Sequence, residues 1–285
     1  MKSLQSYLVT SDGFVPASWV ADRGLMYGDG LFETIRVIDG SMPLKDWHVD
    51  RLLRGCEKLV IPITRDRIDE LFCHIFLSFQ NEFVSASVVL KLVVTRGIGG
   101  RGYSEPDSVS PAVYVLLSPM PEYETDNYNR GIESTICEYR LSENRFLAGL
   151  KHLNRLDQVM ASRELGSCPE AFVLDQSGLV VEGTRSNLLL ERNGVIYTPL
   201  IVGAGVRGVL VSWLKSNAPK IGLEIREASI DPDDLLTADG LAFANSVFGL
   251  WPVRALRGRQ IPVSQGIRRL QVYLHESLGY PGVTF

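Results

Sequence analysis

The sequence predicts an α+β fold in two domains, because strand-like and helix-like segments alternate in its first part and short strands dominate its second. A length of 285 residues is typical of two domains or one large one. Two prolines at alternate positions within residues 118–125 resist both helix and inner strand, so we place a linker there. The expected division is a smaller N-terminal α/β domain at 1–117 and a larger C-terminal domain at 126–285, with a curled, mostly antiparallel sheet and helices.

The composition is that of an ordinary globular protein and argues against several classes of function. Hydrophobic residues make up 45% and charged residues 22%, and the formal net charge of -4 gives no basic surface for nucleic acid. The sequence starts without the long apolar region of a signal peptide, and no apolar run is long enough to span a membrane. Neither the four cysteines nor the four histidines have metal-binding spacing, so we expect reduced thiols, a cytoplasmic location and no metal site.

In the N-terminal domain, apolar runs predict strands, and apolar residues at helical spacing predict helices. Strands are expected at 7–10, 32–38, 87–95 and 112–117, and helices from residue 45 and over residues 65–79.

A glycine-rich loop follows the strand that ends at Thr95. Residues 96–103 bring Arg96, Arg101 and Tyr103 together on flexible backbone, which suits an anionic ligand. The alternative is a loop that serves only as a mobile connection.

The C-terminal domain is predicted to contain a sheet that curls, built from short strands separated by turns. Strands are expected at 131–139, 171–175, 179–183, 187–191, 195–198, 241–247 and 251–255. Residues 203–208, which start with Gly203, are expected to open one helix. Ser264 is expected to begin a terminal helix whose inward-facing residues are Ile267, Leu270, Leu274 and Leu278.

Lys151 lies where an apolar segment is predicted to enter an amphipathic helix, whose stripe contains Leu153, Leu156 and Val159. Apolar neighbours remove water from the amine, which favours its neutral, nucleophilic form. The alternative is an ordinary lysine that extends its ammonium into solvent.

Three further signals have equally ordinary alternatives. Glu182 could be a solvent-facing glutamate at a strand end, Arg51 a solvated helix residue, and the start at 203–208 a simple turn. Together with Lys151, however, they are the groups that pyridoxal phosphate requires. The lysine forms a Schiff base with its aldehyde, a carboxylate keeps its ring nitrogen protonated, and arginine with backbone amides binds its phosphate.

The sequence also resembles the fold-type IV pyridoxal-phosphate enzymes, which include branched-chain and D-amino acid aminotransferases and aminodeoxychorismate lyase. The resemblance covers nearly the whole chain. Its carriers are Asp22-Arg-Gly-x-x-Tyr-Gly-Asp-Gly-x-Phe-Glu-Thr34, His48-x-x-Arg51-Leu52, Lys151-x-x-Asn154-Arg155 and Glu182-Gly-x-x-x-Asn187-Leu188. It implies an N-terminal α/β sandwich and a C-terminal pseudo-barrel that binds the cofactor.

The same resemblance implies a role for each site residue. Lys151 would be the Schiff-base lysine and proton carrier, Glu182 the partner of the pyridine nitrogen, and Arg51 the phosphate ligand. The remaining cofactor contacts would be the amides of Val206 and Arg207 and the turn at Asn245 and Ser246.

Within the family, residues 95–104 and 147–156 are most similar to the aminodeoxychorismate lyases. This implies conversion of 4-amino-4-deoxychorismate to 4-aminobenzoate and pyruvate, in folate biosynthesis. Gly183 and Thr184 after Glu182 are more usual in the aminotransferases, so a branched-chain or D-amino acid aminotransferase stays the alternative. Substrate contacts are expected from Phe32, Thr34, Arg101 and Tyr103.

A protein that binds pyridoxal phosphate without catalysis is the minor alternative, against which the complete set of lysine, glutamate and arginine argues. The resemblance further implies a small anionic substrate and a homodimer, in which a loop of the second subunit completes each site.

Overall fold

The computed structural model describes residues 7–10, 13–85, 87–100, 102–106 and 108–283. The strands are β1 (Tyr7–Thr10), β2 (Gly13–Pro16), β3 (Gly30–Val37), β4 (Val88–Thr95), β5 (Ala112–Pro119), β6 (Ile132–Leu141), β7 (Glu170–Asp175), β8 (Val180–Gly183), β9 (Asn187–Arg192), β10 (Val195–Pro199), β11 (Ile225–Ala228), β12 (Gly240–Asn245), β13 (Gly249–Leu256) and β14 (Arg259–Gln260). The α-helices are α1 (Arg23–Tyr27), α2 (Lys45–Lys58), α3 (Arg65–Ser78), α4 (Gln80–Ser85), α5 (Thr125–Asn129), α6 (Leu156–Ser162), α7 (Val209–Asn217), α8 (Pro232–Thr237) and α9 (Gln265–Leu278).

The first sheet has three antiparallel strands in the order β3-β4-β5, with β3 and β4 paired from Gly30 opposite Thr95 to Val37 opposite Val88. Side chains alternate between the two faces of a strand. Leu31, Ile35 and Val37 therefore pack against α2 and α3 in one apolar core. Glu33 lies on this core face as well, and the other side chains between Leu31 and Val37 point to the opposite face. That opposite face carries Phe32 and Thr34.

The second sheet has nine strands in the order β11-β10-β9-β12-β13-β6-β7-β8, with β14 paired to β13. Most neighbouring strands are antiparallel, whereas β10 with β11, β13 with β6 and β6 with β7 are parallel. The sheet curls so far that its last strand, β8, contacts β9. The four strands expected at 171–198 do not all pair with their neighbours in sequence: β8 pairs with β7, whereas β9 pairs with β10 and β12.

Apolar cores cover both faces of the curled sheet. One core contains buried residues of α7 and α9, and the other contains Tyr128, Ile230 and Leu235 beside strand residues. The terminal helix is confirmed: Ser264 caps it by accepting from the amide of Ile267, and its four predicted inward-facing residues are buried.

The α+β prediction is confirmed, as is the curled, mostly antiparallel sheet. Strand β5 extends through Pro119 at the edge of its sheet, two residues into the predicted linker. The division into domains at 118–125 stays a prediction. Within the described ranges, no helix combines the length and apolar character needed to cross a membrane.

Candidate active site

The sequence pattern predicted that Lys151 lies at the entry of a helix, and this prediction is wrong. Helix α6 starts at Leu156, and the expected apolar stripe is largely exposed, with Leu156 70% and Val159 48% exposed. The lysine instead belongs to an extended segment that docks onto β3. The amide of Phe32 donates to the Lys151 carbonyl at 2.9 Å, and the amide of Leu153 donates to the Gly30 carbonyl at 3.0 Å. The two sheets therefore meet at this lysine.

The surroundings of Lys151 favour its neutral amine. Burial, assisted by the positive charges of Arg51 and Arg155, lowers the pKa of Lys151 to about 8, although Glu33 and Glu182 oppose the shift. Its Nζ lies 4.4 Å from the centre of the Phe32 ring. A neutral amine in reach of a cleft is the state in which lysine acts as nucleophile or base.

Glu182 is a buried carboxylate, not the solvent-facing strand end that its position also allowed. It is 4% exposed, and its Oε2 accepts from the Val206 amide at 2.8 Å while its Oε1 accepts from Gln158 Nε2 at 3.0 Å. Burial raises the pKa of Glu182, and the hydrogen bonds from Val206 and Gln158 work against that rise. A carboxylate oxygen has more than one lone pair, so Glu182 retains capacity for a further donor.

Arg51 is also buried, and Glu33 fixes its orientation. Arg51 Nε donates to Glu33 Oε1 at 2.8 Å, its Nη2 donates to Glu33 Oε2, and its Nη1 donates to the Arg207 carbonyl at 3.1 Å. His48 Nδ1 lies 2.6 Å from the same Glu33 Oε2. Burial alone would raise the pKa of Glu33, but Arg51 and His48 lower it to about 2. A guanidinium has five N–H groups, so two remain available to a ligand.

The segment before α7 joins these groups together. Helix α7 begins at Val209, later than predicted, and the two amides ahead of it have acceptors inside the protein. The Val206 amide donates to Glu182, and the Arg207 amide donates to the Gly149 carbonyl at 3.1 Å. Asn187 Nδ2 donates to the Val206 carbonyl at 2.9 Å, and a Cβ on Gly208 would meet Asn187 Oδ1 at 1.8 Å. A side chain at position 208 would therefore have to displace the Asn187 amide that holds the Val206 carbonyl.

Asn245 and Ser246 form a tight turn at the end of β12. Asn245 Oδ1 accepts from the amides of Val247 and Phe248, both at 2.9 Å. Ser246 Oγ donates to the Thr34 carbonyl at 3.2 Å, which ties this turn to the first sheet. The turn therefore lies beside the face of β3 that carries Phe32 and Thr34.

Lys91 is a site residue that the sequence did not reveal. Its Nζ lies 4.9 Å from the centre of the Phe32 ring, so the amino groups of two lysines lie near that ring. Lys91 reaches this position because β4 pairs with β3 and places it opposite Thr34. The strand pattern identified a buried strand but gave no reason to single out this lysine.

Arg155 and Glu170 are two further groups whose roles appear only in three dimensions. Arg155 was noted as part of a motif; the structure buries much of it, with Nε donating to the His152 carbonyl at 2.8 Å. Glu170 is fully buried and accepts from the Thr184 amide at 2.7 Å and Ser186 Oγ at 2.8 Å. Glu170 therefore fixes the polar residues 184–186, which follow Glu182 and connect β8 to β9.

The glycine loop after β4 is the least enclosed part of the predicted site. Tyr103 is 87% exposed, and its ring contacts that of Tyr27 edge-on, with 5.5 Å between centres. Arg101 lies outside the described residues. Direct contacts and charge interactions thus bring Lys151, Arg51, Glu182, Val206, Arg207 and Phe32 close together, and Ser246 contacts the backbone of Thr34 beside them.

These residues fit pyridoxal phosphate. Lys151 offers an amine of lowered pKa, Glu182 a buried carboxylate with an open lone pair, and Arg51 a held guanidinium with two free N–H groups. The carboxylate and the guanidinium both connect to the segment at 206–207, Glu182 through an amide and Arg51 through a carbonyl. A carboxylate for a ring nitrogen and a guanidinium for a phosphate are therefore tied to the same short segment.

Comparison with known proteins agrees with this geometry. The family model for amino-transferase class IV matches residues 30–256. A crystal structure of 4-amino-4-deoxychorismate lyase from Pseudomonas aeruginosa is 41% identical with a TM-score of 0.83, covering 92% of this chain and 95% of that one. The aminodeoxychorismate lyase of Vibrio harveyi is 31% identical over 88% of this chain and 93% of its own length. A Methanocaldococcus jannaschii protein named "Putative branched-chain-amino-acid aminotransferase" is 32% identical over 85% of this chain and 83% of its own length.

The matched region runs from the start of β3 to the end of β13 and therefore contains Arg51, Lys151, Glu182 and the turn at Asn245. Its extent and the similarity of its relatives settle the family. The chain belongs to the class IV aminotransferase family and is an enzyme of that family.

Proposed function

We propose that this enzyme is a pyridoxal-phosphate-dependent lyase that converts 4-amino-4-deoxychorismate to 4-aminobenzoate and pyruvate, a step of folate biosynthesis. The observation that carries the proposal is that Lys151, of pKa about 8, lies near enough to a buried carboxylate, Glu182, and a buried arginine, Arg51, to interact with both charges. The 41% identity to a solved lyase, over 92% of this chain, favours this reaction over others of the family.

When bound, pyridoxal phosphate supplies an aldehyde that takes up the substrate amine and a ring that accepts electron density. Arg51 would bind its phosphate with the two N–H groups that Glu33 and Arg207 leave available, and Glu182 would hold a proton on its ring nitrogen. The Asn245–Ser246 turn is the proposed further neighbour of the phosphate, whereas the amides of Val206 and Arg207, which the resemblance assigned to it, donate to Glu182 and to the Gly149 carbonyl.

Lys151 is the proposed proton carrier. Its neutral Nζ takes the proton from the carbon that bears the substrate amine. The bond between the substrate ring and the enolpyruvyl oxygen then breaks, and its electron pair leaves with that oxygen. The proton is returned to the methylene carbon of the departing enolpyruvate, which becomes pyruvate, while the six-membered ring becomes aromatic. Substrate and products thus balance without any additional reactant.

Substrate recognition follows from charge. The substrate carries two carboxylates, and Lys91 places an ammonium beside Phe32, near the amine of the reactive lysine. Arg101 and Tyr103 of the glycine loop are proposed as further contacts to the substrate, and Thr34 as a wall of its pocket. This excess of positive groups suits an anionic substrate.

An aminotransferase acting on branched-chain or D-amino acids is the second candidate. It is favoured by the 32% identity to the archaeal relative and by Gly183 and Thr184 after Glu182. Both reactions use the same lysine in the same way at the start, so Lys151 does not distinguish them.

We also propose a homodimer in the cytoplasm. Large apolar side chains on α1 and just before it, near the glycine loop, are exposed: Trp19 is 50%, Leu25 60% and Met26 55% exposed. Burial of this surface by a second copy would shield the loop and let it complete the partner's cleft. The four free cysteines agree with a reducing compartment.

One experiment separates the two reactions. Purified enzyme receives enzymatically generated aminodeoxychorismate in one sample, and D-alanine, leucine or glutamate without a keto acid in others. Fluorescence of released 4-aminobenzoate, with the visible absorbance of the cofactor unchanged after turnover, supports the lyase. A lasting change of that absorbance with an amino acid, and no 4-aminobenzoate, would make the enzyme an aminotransferase.

A further inference from the structure

Arg23 connects a buried charge network to the exposed glycine loop. The described residues of this loop are 96–100 and 102–106, and residues 102–105 are exposed. Arg23, by contrast, is 5% exposed. Its Nη1 donates to the carbonyls of Gly102 at 3.3 Å and Ser104 at 3.1 Å, and its Nη2 donates to the Tyr103 carbonyl at 3.3 Å. Three consecutive carbonyls of a surface loop therefore converge on one guanidinium.

The guanidinium is itself held in place from behind. Arg23 Nε donates to Asp29 Oδ2 at 2.9 Å, and Arg96 Nε donates to the same oxygen at 2.8 Å. Arg96 also donates to the carbonyls of Leu59 at 2.6 Å and Val60 at 2.9 Å, at the end of α2. The two arginines lower the pKa of Asp29, against the opposing effect of its burial, so the carboxylate stays charged between them. The network anchors the loop to the body of the first domain.

The loop depends on such an anchor because its own backbone supplies little order. Gly97, Gly99, Gly100 and Gly102 all have positive φ, and glycine loses more conformational entropy on ordering than any other residue. A Cβ on Gly100 would meet the Ser104 carbonyl at 2.7 Å and Arg23 Nη1 at 3.2 Å. The chain folds tightly around the guanidinium at this point.

Aromatic contacts extend the anchor to Tyr103, a large exposed side chain of the loop. The Arg23 guanidinium lies 5.0 Å from the centre of the Tyr27 ring, and that ring contacts Tyr103 edge-on. Arg23 thus fixes Tyr103 twice, through its carbonyl and through Tyr27.

We infer that Arg23 is a positioning residue for substrate selection: it holds the glycine loop in the one conformation that presents its polar groups to an anionic substrate. This inference rests on the proposed function, in which the loop recognises the substrate carboxylates. It also assigns the Asp22–Gly30 segment, through Arg23 and Asp29, to shaping that loop. Arg23 itself touches neither the substrate nor Lys151 in this scheme.

The test is an Arg23→Lys variant of the holoenzyme, with Arg67→Lys as matched control, because Arg67 is exposed on α3 and pairs with Glu70. Lysine keeps the charge beside Asp29 but cannot serve three carbonyls from a planar fork. We expect KM for aminodeoxychorismate to rise about tenfold or more while kcat and the dissociation constant of pyridoxal phosphate change less than about twofold. Amide hydrogen exchange in residues 97–106 should become at least about tenfold faster in the variant and not in the control.

Unchanged exchange and unchanged KM in Arg23→Lys would overturn the inference, as would a fall in kcat with KM unaltered. If the wild type releases no 4-aminobenzoate, the proposed function fails, yet loop exchange still decides whether Arg23 is the anchor. If Arg23→Lys does not fold, Tyr27→Leu is tested instead, because Tyr27 is 37% exposed. It should raise KM and loop exchange in the same direction, and wild-type values of both would refute the proposal.

Discussion

Glu33 on β3 and Arg51 on α2 form a buried ion pair, with Arg51 Nε 2.8 Å from Glu33 Oε1 and both side chains nearly excluded from solvent. Glu33 lies on the helix-facing side of β3, so it meets Arg51 within the core that this strand shares with α2. The pair turns a flexible arginine into a fixed donor for an anion. Such preorganisation is most valuable where a phosphate must be bound without reorganising the protein.

Replacing Glu33 by glutamine should therefore weaken both cofactor binding and folding. The change leaves Arg51 buried without its counter-charge, a loss of about 3 kcal/mol in the free energy of unfolding. We expect the dissociation constant of pyridoxal phosphate to rise at least about tenfold, measured by titrating the apoenzyme and following cofactor absorbance. Glu70→Gln, at an exposed ion pair on α3, is the control and should alter neither quantity. Wild-type cofactor affinity in Glu33→Gln would show that Arg51 needs no such partner.

Lys151→Ala should abolish turnover of every substrate, whichever of the two reactions is correct. The variant should also bind the cofactor without a covalent bond, which sodium borohydride trapping followed by mass spectrometry detects. Lys220→Ala serves as control because Lys220 is exposed and, in the described part of the chain, its Nζ donates only to Asn217 Oδ1. Full activity in Lys151→Ala would contradict both proposed functions.

The lowered pKa of Lys151 predicts how the apoenzyme captures its cofactor. Below about pH 8 the amine is mostly protonated, so the rate of covalent capture should rise about tenfold per pH unit up to that point and then level off. A lysine with its ordinary pKa of 10.5 would show the rise continuing well above pH 9. Stopped-flow absorbance at constant ionic strength measures the profile. A plateau that begins above pH 10 would show that burial does not act on Lys151 as described.

Glu182→Gln should reduce kcat by about a hundredfold with a smaller effect on cofactor affinity, because an amide cannot hold a charged ring nitrogen as a carboxylate does. Glutamine retains the size of the side chain and its acceptor for the Val206 amide. Steady-state kinetics on the holoenzyme, after cofactor content is checked by absorbance, gives the result. A kcat within twofold of wild type would remove Glu182 from its assigned role.

Lys91→Met should raise KM for the dianionic substrate roughly tenfold, since it removes the ammonium beside Phe32 and keeps the aliphatic stem. The salt dependence of kcat/KM should also become shallower, because a long-range attraction has been lost. Initial rates at several salt concentrations test both expectations. If KM and the salt dependence stay at wild-type values, the substrate does not use this face of β4.

Several features of this enzyme could be predicted from its sequence, because they depend on the local pattern of residues. Alternating or continuous apolar residues located the strands of the first sheet, most strands of the second and several helices, but neither β11 nor β14, and Ser264 marked the start of the terminal helix. The apolar neighbours of Lys151 correctly indicated an amine with lowered pKa. The spaced motifs around Arg51, Lys151 and Glu182 indicated the family that the comparisons confirm.

What the tertiary structure alone decided is which side chains share a cleft and in what charge state. Helical spacing around Leu153 and Leu156 predicted a helix entry at Lys151, but pairing with Gly30 and Phe32 holds that lysine in an extended segment. Neither Lys91 beside Phe32 nor Arg23 beneath the glycine loop could be found by spacing, since each contact joins elements far apart along the chain. Periodicity reports which face of a local element is buried, whereas pairing of charges across the fold depends on register and packing between elements.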